Sequence, residues 1–98
     1  MQPNEIIKNA LRHGENHAIS RTRLAEITGL DVRDVSQCIE DMRCKGAVIC
    51  SSSVGYFYPK TRGELGRHVH KEHSRADSIL RSVRAADEAL NSWGDDNP

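Results

Sequence analysis

The sequence predicts an α+β fold that is mainly helical: a three-helix core, a two-stranded β-hairpin and a long C-terminal helix. Three observations carry this. Between Ser20 and Gly46 the apolar residues Leu24, Ile27, Leu30, Val35, Ile39 and Met42 recur at helical steps, and Gly29 interrupts them where a chain reversal is needed. Ala47 to Cys50 and Tyr56 to Tyr58 are short strand-forming runs separated by three serines, Val54 and Gly55. Beyond Pro59, the positions Leu65, Val69, Ala76, Ile79, Val83, Ala86, Leu90 and Trp93 follow a 4-3 spacing in which Glu72 alone is polar.

In chain order, Pro3 and Asn4 suit a helix start, and Ile6, Ile7, Ala10 and Leu11 form its apolar stripe before Gly14. Residues 15–19 read as a connector in which Ala18 and Ile19 either add a brief strand or bury one side chain. Ser20 is placed to cap a helix running to about Thr28, because its hydroxyl can accept a free first-turn amide. Asp31 with Asp34 opens the next helix near Val32, and Gly46 ends it after Lys45. Thr61 and Glu64 form a capping box for the last helix, a rod of roughly 45 Å if it runs some thirty residues. The expected organisation is therefore residues 1–59 as one domain, 60–93 as a long helix for oligomerisation, and 94–98 as a flexible acidic tail.

With 37% hydrophobic and 29% charged residues in 98, the composition is that of one ordinary globular domain. Fourteen basic residues balance fourteen acidic ones, so the chain has no bulk attraction for nucleic acid or an anionic membrane. No apolar run is long enough to span a membrane and no secretion signal opens the chain, which leads to an expected cytoplasmic location and no membrane partner. Cys38, Cys44 and Cys50 lack a C-x-x-C pair and are expected as reduced thiols.

Leu24, Ala25, Gly29, Leu30, Val35 and Ile39 resemble the pattern of the winged helix-turn-helix family. Small Ala25 stands where the two helices of the motif cross, and Gly29 opens the turn. The hairpin ICSSSVGYFY is similar to the wing of biotin-repressor-type DNA-binding domains and of small phage-encoded proteins built on that fold. The resemblance covers about residues 6–59 and implies a double-stranded DNA partner, with the second motif helix in the major groove and the wing on the neighbouring backbone or minor groove. It implies that Arg33, Ser36, Gln37 and Glu40 face base edges and that Arg21 and Arg23 meet phosphates. Wing contacts fall to Ser52, Ser53 and Tyr56, with Ser51 beside them and Lys60 and Arg62 flanking. Arg and Gln can each make paired hydrogen bonds to a base, and hydroxyls can bond phosphate oxygens.

Charge complicates this expectation. The second motif helix holds Asp31, Asp34, Glu40 and Asp41 against Arg33, Arg43 and Lys45, and the wing tip holds no basic residue. The basic excess lies from Lys60 to Arg84, and a second copy would double whatever phosphate contacts it makes. The apolar 4-3 stripe is expected to form a homodimer, with parallel, antiparallel and four-helix association all open. A second function, a protein-binding adaptor or inhibitor with a solvated polar face, stands beside DNA binding. No nucleophile with an adjacent base, phosphate loop or carboxylate pair in a cleft is apparent, so neither an enzyme nor a cofactor is expected. No metal site is expected either, since only His70 and His73 of the histidine cluster share a helix face.

Overall fold

The computed structural model describes residues 1–94. Its elements are α1 (Pro3–Ala10), a single 3-10 turn (Glu15–His17), α2 (Arg21–Thr28), α3 (Val32–Cys44), β1 (Cys50–Ser51), β2 (Tyr56–Phe57) and α4 (Arg62–Asn91). This is a mainly helical α+β architecture with one two-stranded antiparallel sheet. The chain divides into two compact units, Met1–His68 and the segment from Val69 onward. From residue 95 the expected tail lies outside the described residues.

In the first unit α1, α2 and α3 pack on one another. Ile7, Leu24 and Val35 are completely buried, and Leu11, Ile39, Met42, Ile49 and Phe57 close the core around them. Burying such a side chain is worth about 1.5–3 kcal/mol, so these few residues carry most of the drive to fold. The ends of α2 and α3 match the sequence pattern, whereas α1 stops at Ala10, with Leu11 already in extended backbone and well short of Gly14. Ser20 Oγ accepts the Arg23 amide at 3.0 Å, and Asp31 Oδ1 accepts the Asp34 amide at 2.8 Å. Gly29 adopts φ 76°, the left-handed region where a Cβ would be costly, and its amide closes α2 on the Ala25 carbonyl at 2.9 Å. After Lys45, α3 ends in a Schellman motif: the Ala47 amide reaches the Met42 carbonyl at 2.9 Å and the Gly46 amide the Arg43 carbonyl at 3.0 Å.

The connector is more than a connector. Ile19 and Tyr56 exchange both backbone hydrogen bonds, each at 2.9 Å, in an antiparallel bridge along the outer edge of β2. Tyr58 continues the attachment, since its amide donates to the Arg12 carbonyl and its carbonyl accepts the Gly14 amide, both at 2.8 Å. Its hydroxyl donates to the Lys8 carbonyl at 2.8 Å, and burial raises the pKa of that phenol. The hairpin pairs Cys50 with Phe57 and Ser51 with Tyr56. Its strands are shorter than expected. Ala47 to Ile49 lie outside β1, and the Ile49 carbonyl accepts from Arg43 Nε at 2.9 Å instead of from a strand.

Gly55 makes the bridge possible. A Cβ at this position would collide with the Ile19 carbonyl oxygen and stand 2.8 Å from the Ser20 amide nitrogen, both backbone atoms without room to yield. Glycine is therefore required by the closeness of two chain segments.

The Thr61–Glu64 box forms and does more than cap α4. Thr61 Oγ1 accepts the Glu64 amide at 3.2 Å, while the Glu64 carboxylate accepts the Lys60 amide at 2.8 Å and, across the fold, the Glu15 amide at 2.9 Å. These amides, the one from Glu15 foremost, hold the Glu64 carboxyl below the usual carboxylate range. One turn further on, His68 Nδ1 accepts the Ser51 amide of the hairpin at 3.3 Å. The first turns of α4 thus belong with the first unit.

From Val69, α4 continues as a regular helix to Asn91, two residues short of the expected end at Trp93. The chain tightens there, with the Trp93 amide on the Leu90 carbonyl at 3.2 Å, so Trp93 follows the helix instead of completing its last heptad. Among the described residues, no helix is long and apolar enough to cross a membrane.

Gly55→Ala is expected to destabilise the chain by about 1–3 kcal/mol, the usual cost of forcing atoms into an occupied space, read as a lower urea midpoint. An unchanged midpoint would show that the hairpin is free to move away from Ile19. For Glu64, the folded carboxyl titrates below its unfolded counterpart, so its contribution is fully present above the unfolded value of about 4.3 and is lost as pH falls through the lower folded one. Glu64→Gln should lower stability at neutral pH, because an amide cannot accept on both of its ends, and should flatten the loss of stability on acidification in denaturant titrations.

Candidate functional site

The outward face of α3 collects Arg33, Gln37 and Glu40, all exposed, because positions four and three apart fall on one side of a helix whose other side buries Val35, Ile39 and Met42. Ser36 is half-buried at the edge of this face. Its hydroxyl donates to the Val32 carbonyl at 3.1 Å and accepts from Arg21 Nη1 at 3.2 Å, which links the start of α2 to α3. Gln37 Nε2 donates to Asp41 Oδ1 at 3.1 Å. Arg23 pairs with Glu26 at 3.0 Å, and since both side chains are well exposed the pair is weak and readily exchanged for another anion.

Arg43 behaves differently from Arg33, the other basic residue of α3. Besides its bond to the Ile49 carbonyl, its guanidinium stands 5.9 Å from the centre of the Tyr56 ring, within cation–π range. Its Nη2 is buried without a hydrogen-bond partner. The charge is thereby drawn inward to hold the hairpin on α3. That leaves Asp31, Asp34, Glu40 and Asp41 exposed on this helix and its cap against Arg33 and Lys45.

A polar cleft of about 390 Å³ lies between the start of α2 and the hairpin. Arg21, Ser52, Ser53 and Tyr56, four of the residues singled out from the sequence, line it together. Ser20, Thr22 and Ser51 join them, so the cleft gathers hydroxyls, one guanidinium and the amide-bearing end of a helix. Within the hairpin tip Ser52 Oγ accepts the Val54 amide at 3.1 Å, while Ser53 is exposed. Tyr56 is half-buried, with its ring against the core and Arg43. Lys60 and Arg62 are exposed but do not line this cleft, and the stem of Lys60 lies beside Gly14. A larger hollow of about 760 Å³, lined by Lys8, His13, Met42, Val48 and Tyr58 among others, holds none of the residues that the resemblance assigns to DNA contacts.

Sequence reasoning missed Thr22 and the structural use of Arg43. The first had a signal in its place within the first turn after the Ser20 cap. The second had one in its position next to Met42 on the core stripe. Of the thiols, Cys50 is buried and Cys44 exposed; burial, then Asp41 and Asp34, push the Cys38 thiol up and away from the reactive thiolate. Of the residues expected to pair two chains, Leu65 is half-buried in the first unit, whereas Val69, Ala76, Ile79, Val83, Ala86, Leu90 and Trp93 are exposed.

No known family model, curated protein or solved structure matches this chain.

Replacing Arg43 by Leu should cost about 1–3 kcal/mol, since it leaves the Ile49 carbonyl without its donor. Arg33→Leu, at an exposed position, should stay within about 0.5 kcal/mol. Parallel urea unfolding of the two variants separates the structural arginine from the free one.

Proposed function

We propose that the chain is a winged helix-turn-helix protein that binds double-stranded DNA sequence-specifically. It would act as a homodimer through its C-terminal helix in a transcription-regulating or replication-accessory role. The observation that carries this reading is the pairing of an exposed Arg33–Gln37–Glu40 face on α3 with the polar cleft of Arg21, Thr22 and Ser51 to Ser53. The two suit different parts of a duplex. Side chains on a helix face can enter a major groove and read base edges. Hydroxyls, a guanidinium and helix-start amides bond phosphate oxygens and set the register.

In this reading Arg33 donates to a guanine, Gln37 pairs with an adenine after leaving Asp41, and Glu40 accepts from a cytosine amino group. Arg21 braces α2 on Ser36 while its remaining guanidinium donors face the backbone. Arg23 exchanges Glu26 for a phosphate. Lys60 and Arg62 add positive charge beyond the cleft. The acidic surplus on α3 weakens nonspecific attraction, so affinity depends strongly on the correct base contacts and on a second copy.

That same surplus favours one other reading, a protein-binding adaptor or inhibitor that presents the α3 face to a basic partner surface.

Mobility shifts on a random duplex pool at low and moderate salt discriminate the two. Arg33→Ala should relax preference at one base position by about 1–3 kcal/mol. Arg23→Ala should weaken binding to every sequence and reduce the salt slope by about one. If no duplex binds the wild-type chain better than the Arg33→Ala/Gln37→Ala variant, the adaptor reading replaces DNA binding.

A further inference from the structure

The second unit presents an apolar stripe to solvent. Ile79 is 59% exposed, Val83 42% and Leu90 72%, and Leu80, which lies beside the 4-3 series, is 66% exposed. A lone helix gains nothing by carrying such a face, since a contiguous apolar strip in water marks an interaction surface. We propose that the segment from Val69 to Trp93 pairs with the same segment of a second copy in antiparallel orientation, with the two-fold axis at the level of Leu80 to Ser82. This rests on the homodimer proposed above and commits it to one geometry.

Charge decides the orientation. In a parallel, in-register pair each core residue meets its own copy, so Glu72 faces Glu72 in a core layer, across helix axes about 8–10 Å apart. In the antiparallel pair Glu72 faces Leu90, and the two Glu72 carboxylates separate to about 27 Å along the axis at 1.5 Å per residue. Each then keeps its own counter-ion: Arg75 Nη1 lies 3.3 Å from Glu72 Oε2 within the same helix.

The flanking positions agree with the core. Parallel pairing sets His68 against His73, Arg75 against Leu80 and Ser82 against Asp87, with no pair of permanently opposite charges and one apolar side chain against an arginine. Antiparallel pairing sets Leu80 against Leu80 and Ser82 against Ser82 on the axis, with His73 against Asp87 as a hydrogen-bonding pair at each end and Arg75 against the small Ala89. The central layers become Ile79 on Val83, and the next ones Ala76 on Ala86. Small residues fall together there, so the helices approach closely without a cavity. Leu80 is the discriminating residue, because only the antiparallel arrangement gives it an apolar partner.

Disulfide trapping on the full chain, without DNA, tests this geometry. In a Cys44→Ser background, which leaves only the half-buried Cys38 and the buried Cys50, single cysteines are placed by Leu80→Cys, Ser82→Cys and Val69→Cys. The first two positions meet their own copies at the antiparallel axis, and the third meets its own copy only in a parallel pair. Mild oxidation should shift Leu80→Cys and Ser82→Cys to twice the chain mass and leave Val69→Cys at the monomer mass on a non-reducing gel. Ile79→Asp should convert the unoxidised chain from dimer to monomer in sedimentation equilibrium while its circular dichroism still reports a folded first unit. Linking at Val69 alone, at all three positions or at none overturns the proposal, as does a monomeric wild-type mass. Because no DNA is present, these outcomes are separate from success or failure of DNA binding.

Discussion

The backbone exchange between Ile19 and Tyr56 is the constraint on which the rest of the first unit depends. It fastens the hairpin to the segment that leads directly into the Ser20 cap, so the hairpin tip and the amide-bearing start of α2 become two walls of one cleft. The attachment works only because Gly55 has no side chain where its backbone meets the Ile19 carbonyl. A hairpin of two-residue strands is too short to be stable alone, and here it gains its place from a third segment and from Cys50 and Phe57 in the core.

Three polar side chains reinforce this arrangement from different directions. Arg43 holds the approach to β1 from α3, Glu64 ties the start of α4 to the 3-10 turn, and His68 receives an amide from β1. Each satisfies backbone groups that short, irregular segments leave unpaired. Two of these are charged residues that a count of surface charge would assign to binding. Withdrawing Arg43 leaves the α3 face more acidic than its composition implies. What that face offers is therefore particular hydrogen-bonding groups more than bulk positive charge.

The second unit shows a different logic, in which the helix is complete in its backbone bonds but not in its burial. Helical hydrogen bonds are local and need no partner, whereas the apolar stripe from Val69 to Leu90 remains in water within one chain. The self-pairing proposed above would remove that stripe from solvent without any further sequence, and the placement of Glu72 and Leu80 is what would discriminate between the two orientations.

The helices, their caps at Ser20, Asp31 and Thr61, the turn at Gly29 and most of the core were legible in the sequence, because each depends on periodicity or on hydrogen bonds among neighbouring residues. The α3 face was legible for the same reason: burying Val35, Ile39 and Met42 sets the direction of Arg33, Gln37 and Glu40. The bridge from Ile19 to Tyr56, the role of Gly55, the long reach of Glu64 to Glu15 and the inward turn of Arg43 were decided only by tertiary structure. They join residues distant in the chain or specify the direction of one flexible side chain, and neither property leaves a periodic mark. The sequence by itself determined which helix faces are apolar and which are polar. The fold determined which charges remain exposed and which hydroxyls share a cleft, because packing brings the start of α2 against a hairpin some thirty residues away.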